Sequence, residues 1–211
     1  MSLMKYAAIN LGEKDLAYGR EYLEKARDEF ALPFVSANVY RYGSDKLFAQ
    51  AFIIKQVGDL KVGIFGVTTN AINPRMLTPD LGFEVKEPIA AAKEIVSQLR
   101  ERCDVIIVLS HLGLNESKRL AEEVPGVDIV VSGHGYNRSH KPEMVGNTTV
   151  MQSGSKGKYL GQLDFVVIDG KVEVAKGKTI ALNAKIPDDA AQAELVRGFD
   201  DTELKLKAGT N

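Results

Sequence analysis

Asp104-Val105-Ile106-Ile107-Val108-Leu109-Ser110-His111-Leu112-Gly113 is the most informative stretch of the chain. After Asp104 it is β-branched or aliphatic as far as Leu109, with no polar alternation. A strand of that kind is covered on both faces, as in the parallel sheets of α/β proteins. Its end is polar and brings a histidine and a glycine together. Upstream, Glu87–Arg102 has Pro88 near its start and apolar residues at Ile89, Ala92, Ile95 and Leu99. Proline in the first turn and that spacing predict an amphipathic helix. Downstream, Asn115–Glu123 reads as a second helix, and Val127–Val131 as a second buried strand ending in Ser132-Gly133-His134-Gly135-Tyr136. Strands alternating with helices make the fold class α/β.

Nearer the start, Met4–Leu11 is a short apolar run that suits a buried strand, followed by the polar loop Gly12-Glu13-Lys14-Asp15. Arg20–Phe30 spaces its charges around Tyr22, Leu23, Ala26 and Phe30 in a helical pattern. Pro33 limits that helix, and Phe34–Asn38 predicts another strand. Ala51–Val57 and Leu60–Val67 flank Gly58-Asp59 and predict a hairpin. Beyond Gly133 the character changes. Thr148–Gln152, Gly161–Ile168 and Lys171–Ile180 read as strands of a meander, with turns at Gly146-Asn147 and Asp169-Gly170. Asp188–Lys207 predicts a helix, with Asp188-Asp189 at its positive end and Gly209 beyond its last turn.

The chain has 211 residues, 45% of them hydrophobic, enough for a core without covalent staples. Charge is balanced, 27 Lys and Arg against 28 Asp and Glu, so nothing in the bulk composition points to nucleic acid as a partner. No apolar stretch reaches the length of a membrane span. The one cysteine, Cys103, borders an apolar run and is expected to be buried.

Parallel strands deliver functional residues at their C-terminal ends. Three such ends are polar here: Gly12-Glu13-Lys14-Asp15, Ser110-His111-Leu112-Gly113, and Ser132-Gly133-His134-Gly135-Tyr136. His111 and His134 occupy equivalent places, and imidazole suits zinc, manganese or iron. The residues alone leave two readings open, metal ligands or ordinary hydrogen-bonded loop histidines. His140 lies in a polar loop and reads as solvated.

Six segments in order resemble the 5'-nucleotidase and UDP-sugar hydrolase family of calcineurin-like metallophosphoesterases. Gly12-Glu13-Lys14-Asp15-Leu16 is similar to the family's G-N-H-E loop. Pro33-Phe34-Val35-Ser36-Ala37-Asn38, Val62-Gly63-Ile64-Phe65-Gly66-Val67-Thr68-Thr69, Ser110–Gly113, Gly133-His134 and Gly154–Phe165 follow. The resemblance implies an α/β/β/α arrangement of sheets flanked by helices. It further implies a pair of divalent metals (Mn, Zn, Co or Mg) acting on phosphate esters of small molecules such as nucleotides.

Carried over residue by residue, it makes His111, His134 and Glu13 metal ligands, with Glu13 standing where the family has asparagine. Lys14 replaces the histidine that stabilises the leaving group, and Asp15 the glutamate that orients it; both are expected at the catalytic position. Tyr136 stands where His, Gln or Asn would ligate. The family's D-x-H and G-D loops, and its first strand, are expected upstream of Met4. Residues 1–186 would then be a partial catalytic domain and 187–211 a helix leading towards an absent second domain. This implies a chain with one metal or none, inactive by itself, and an exposed sheet edge inviting self-association. The other reading is a non-catalytic binding or interaction module. By the same resemblance, the parent protein would be periplasmic or on the cell surface.

Overall fold

The computed structural model describes residues 2–73 and 77–208. The chain divides after Ile180 into two compact units. The first contains β1 (Ile9–Asn10), α1 (Glu13–Leu16), α2 (Arg20–Phe30), β2 (Phe34–Val35), β3 (Val39–Arg41), β4 (Phe52–Val57), β5 (Leu60–Thr68), β6 (Phe83–Val85), α3 (Pro88–Leu99), β7 (Val105–His111), α4 (Leu114–Glu123), β8 (Ile129–Ser132), β9 (Glu143–Val145), β10 (Thr148–Gln152), β11 (Tyr159–Ile168) and β12 (Lys171–Ala181). The second begins at Ala181, the last residue of β12, and contains α5 (Ala190–Ala208). The glycine expected to follow α5, Gly209, lies outside the described residues.

The main sheet has six strands in the order β4-β5-β7-β8-β10-β9. The inner four run parallel, while the outer strands β4 and β9 are antiparallel to their neighbours. Period-two alternation sorts the side chains between two cores. Phe65 and Val67 of β5, Ile106 and Val108 of β7 and Val130 of β8 face α3 and α4. The helices contribute Ile89, Ala92, Ile95, Val96, Leu99, Leu120 and Ala121 to that core. Val62, Val105 and Ile129 face the other way, against Leu163, Phe165, Val167 and Val172 of the β11–β12 hairpin. Glu87 caps α3 by accepting from Ala90 N–H at 2.6 Å, and Pro88 occupies the first turn, which needs no donor there.

A second layer crosses this same face near the strand ends. β1 and β2 pair in parallel, Ile9 with Phe34 and Asn10 with Val35. Gly66 shares a face with Val62, and a Cβ there would lie 2.2 Å from Asn10 Oδ1 and 2.7 Å from Val35 O. Only a hydrogen lets the layers come this close. Outside β1 and β2, Leu23 of α2 packs with Leu11, Leu16, Phe34, Val39, Phe48 and Phe83. The order is therefore helices, main sheet, second layer, helix, in line with the expected α/β/β/α arrangement.

Two expectations need correction. Met4–Leu11 is not one strand: Ser2–Met4 is a short 3-10 turn, and only Ile9–Asn10 pairs. Leu3, Met4 and Tyr6 are exposed, so the run is apolar without being covered. Thr148–Gln152 does not belong to a meander. The Gly146-Asn147 turn does form a hairpin, β9–β10, but the far edge of β10 pairs in parallel with β8. All five residues of β10 are buried, which suits an inner strand.

Substituting Gly66 by alanine should destabilise the chain by ~1–3 kcal/mol through overpacking between layers. Urea unfolding checks this; an unchanged midpoint would mean the layers can separate at no cost.

Candidate metal centre

Three strand ends meet beside the crossing. β7 ends on His111, which alternation places on the face that carries Val105 and Ile107. The chain leaving β1 passes over it through Leu11 and Gly12. A Cβ on Gly12 would come within 2.7 Å of the His111 ring, so a larger residue there would push the imidazole aside. Glu13, the first residue of α1, then reaches the ring, with Oε2 2.5 Å from His111 Nε2.

His134 follows β8 after Gly133. Gly133 N–H donates to Ser110 O at 2.7 Å, and Gly113 N–H donates to Gly133 O at 2.9 Å. These bonds draw the loops after β7 and β8 together. His134 sits in the left-handed region at φ 66°, a conformation that non-glycine residues adopt only when their surroundings hold them there. Its Nδ1 lies 3.2 Å from His111 Nε2 and 3.4 Å from Glu13 Oε2. Two imidazoles and a carboxylate thus converge from three separate connections. His134 is the exposed member, so the cluster opens to solvent on its side.

Burial pushes the Glu13 carboxyl up, but the His111 hydrogen bond, a backbone hydrogen bond and the charges of His111 and His134 together outweigh it. The pKa lies below the ordinary carboxylate value. The ionised form is the one the surroundings favour, and it is also the form that binds a cation.

Lys14 is exposed. Asp15 accepts from Gly12 N–H at 2.8 Å, so its carboxylate closes the turn that starts α1. Tyr136 is 80% exposed. His140 is exposed and lies 3.2 Å from an Arg138 nitrogen, as a solvated loop residue would. Cys103 is buried.

The support beneath the cluster was not singled out in the sequence. Asn10 Nδ2 donates to both Val67 O and Leu109 O, at 2.8 and 2.9 Å, tying β1 to two strand ends. Asn38 accepts from Thr68 N–H and donates to Thr68 O and Lys86 O. Thr68 Oγ1 donates to Leu11 O, and Thr69 N–H donates to His111 O. The available signal was an asparagine closing each of two short apolar runs, Ala7–Asn10 and Phe34–Asn38. A strand-end carbonyl without a ladder partner needs such a donor when buried.

No family model matches the chain. Among curated proteins, human 5'-nucleotidase is 31% identical over 216 residues, covering 90% of this chain and 37% of that protein. A 5'-nucleotidase precursor from Thermus thermophilus superposes with a TM-score of 0.81 at 26% identity, covering 97% of this chain and 44% of that one. The chain belongs to the 5'-nucleotidase family. It spans less than half the length of the curated 5'-nucleotidases it matches. A calcineurin-like phosphoesterase from Bacillus subtilis shares the fold at a TM-score of 0.76 and 24% identity, covering 97% of this chain and 73% of that one. This member of the 5'-nucleotidase family has the calcineurin-like metallophosphoesterase fold, and its Glu13, His111 and His134 converge at the C-terminal ends of the strands.

A carboxyl with a depressed pKa stabilises the fold above its ordinary titration range and loses that contribution as pH falls through the depressed value. The stability difference between wild type and Glu13→Gln should therefore be full above pH ~5 and shrink below pH ~4. Unfolding at several pH values checks this; a difference constant down to pH ~3 would mean the carboxylate gains nothing from its neighbours.

Proposed function

We propose that Glu13, His111 and His134 hold one divalent cation, and that the chain is the metal-carrying part of a phosphate-ester hydrolase. The observation that carries this reading is the convergence of three donor atoms, 2.5, 3.2 and 3.4 Å apart. Ligands spaced about 2.0–2.2 Å from a tetrahedral ion lie a little over 3 Å from one another, so a small outward adjustment admits the ion. Two imidazoles and a carboxylate suit zinc, manganese or cobalt better than magnesium. Gly12 leaves room for the His111 ring, which supports a site shaped around that donor.

A divalent cation there would acidify a water and polarise a phosphoryl oxygen. The chain's own groups supply the rest. Lys14 is next to Glu13 and exposed, and it offers a positive charge to the phosphate. Asp15 holds the turn that aims Glu13. The substrate class consistent with this is a nucleotide or related phosphate ester, entering from the exposed His134 side. The described residues bring together donors for one ion. By itself the chain therefore binds metal but turns over phosphate esters poorly, where a two-ion clamp would act on both attacking and leaving oxygens.

A second reading, a non-catalytic binding module, is favoured by Asp15, whose carboxylate is committed to the Gly12 turn. Export to the periplasm or cell surface belongs to the family reading. So does self-association through β1, which among the described residues pairs only with β2. No helix among the described residues is long and apolar enough to cross a membrane.

Calorimetric titration with Zn²⁺ and Mn²⁺ should give one ion per chain, with binding lost in the His111→Ala/His134→Ala variant. No binding, or binding unchanged in that variant, overturns the metal reading. With metal present, AMP bound but not cleaved favours the module, and metal-dependent release of phosphate that the double variant abolishes favours the hydrolase.

A further inference from the structure

Gln152, the last residue of β10, is fully buried, yet its Nε2 has no hydrogen-bond partner. A side chain selected for core stability alone would not leave a donor unmet in so buried a position. What Gln152 does make is a set of bonds to the two ends of one loop. Its Oε1 accepts from Ser132 Oγ at 2.9 Å. Its backbone N–H donates to Ser139 Oγ at 3.1 Å, and its backbone carbonyl accepts from Ser139 N–H at 2.8 Å. Ser132 and Ser139 are buried and bracket the segment that carries His134. Ser132 is also joined through Ser117 Oγ, at 3.0 Å, to Ser110, the neighbour of His111, at 2.8 Å.

We propose that Gln152 is a positioning residue that clamps both ends of the 132–139 loop and thereby holds His134 in its left-handed conformation, facing Glu13 and His111. The proposal rests on the metal reading only for its consequence, not for the clamp itself. A left-handed histidine relaxes to ordinary backbone geometry once its loop is free, and Nδ1 then leaves the cluster. The Ser110–Ser117–Ser132–Gln152 chain couples the two histidine-bearing strand ends, so that they hold one spacing. Partners of this kind, one shell outside the ligands, typically change metal affinity 10–100-fold when removed.

The test uses Gln152→Met, which fills the same volume without polar atoms, together with Ser139→Ala and Ser139→Thr. Gln152→Met loses the bond to Ser132 but keeps its backbone bonds to Ser139. In metal-free protein, exchange of the Gly133 amide should therefore speed up at least ~10-fold in Gln152→Met, with no fall in its urea midpoint. Exchange of the Ser139 amide should speed up at least ~10-fold in Ser139→Ala. Ser139→Thr keeps the hydroxyl and should match wild type. Zn²⁺ should bind Gln152→Met roughly 10–100-fold more weakly than wild type. Unchanged Gly133 exchange in Gln152→Met, or unchanged Ser139 exchange in Ser139→Ala, overturns the clamp, as does a general loss of stability with no excess effect on the loop. If Gln152→Met does not fold, Ser132→Ala, which removes the donor that the Gln152 side chain accepts from, decides by the same Gly133 exchange. Wild type that binds no Zn²⁺ refutes the metal reading, while the exchange result still decides the clamp.

Discussion

Everything at the C-terminal edge of the sheet depends on how the second layer meets the first. Parallel strands end in carbonyls whose ladder partners have run out, and burying them without donors is costly. Asn10 answers two of them at once, Val67 O and Leu109 O, while Thr68 Oγ1 reaches back to Leu11 O. Asn38 does the same for the end of β5 from β2's side. These bonds are directional where hydrophobic contact between the layers is not. They set the height and angle at which the chain crosses Gly66, and so where Glu13 arrives over His111.

The main sheet was readable because its signals are long and local. Val105–Leu109 cannot be mistaken for a half-exposed strand, and Arg20–Phe30 and Pro88–Leu99 form helices where their apolar spacing and Pro88 place them. The second layer was not readable in the same way. A two-residue strand such as Ile9–Asn10 exists because of what it packs on, and apolar composition from Met4 onward says nothing about that. Strand β10 shows the same limit. Its turn to β9 is written locally in Gly146-Asn147, but its pairing with β8 joins residues about twenty positions apart and leaves no local mark.

The cluster was partly legible for a related reason. In an α/β sheet the strand C-termini share one edge, so polar residues following three strands can be placed together without knowing the side-chain geometry. That places His111 and His134 together, the family resemblance adds Glu13, and the three are neighbours. Asp15, two positions after Glu13, lies outside the group, since a helix turns such residues to different sides. The supports were only faintly marked, Asn10 and Asn38 by closing short apolar runs and Gln152 not at all, because such an amide is chosen for its acceptors and donors across the fold. Their burial and their partners exist only in three dimensions.

The two histidines lie 23 positions apart, but Glu13 is 98 positions from His111 and belongs to the other layer. No isolated hairpin or helix pair of this chain could assemble all three donors. An ion captured by all of them would therefore act as a bolt driven through both layers, its binding free energy added to the docking of one on the other. Chelation would loosen the seam between the layers before it disturbed either one. Affinity for the ion would then gauge how well two halves of a domain recognise each other, a quantity that otherwise has no direct readout.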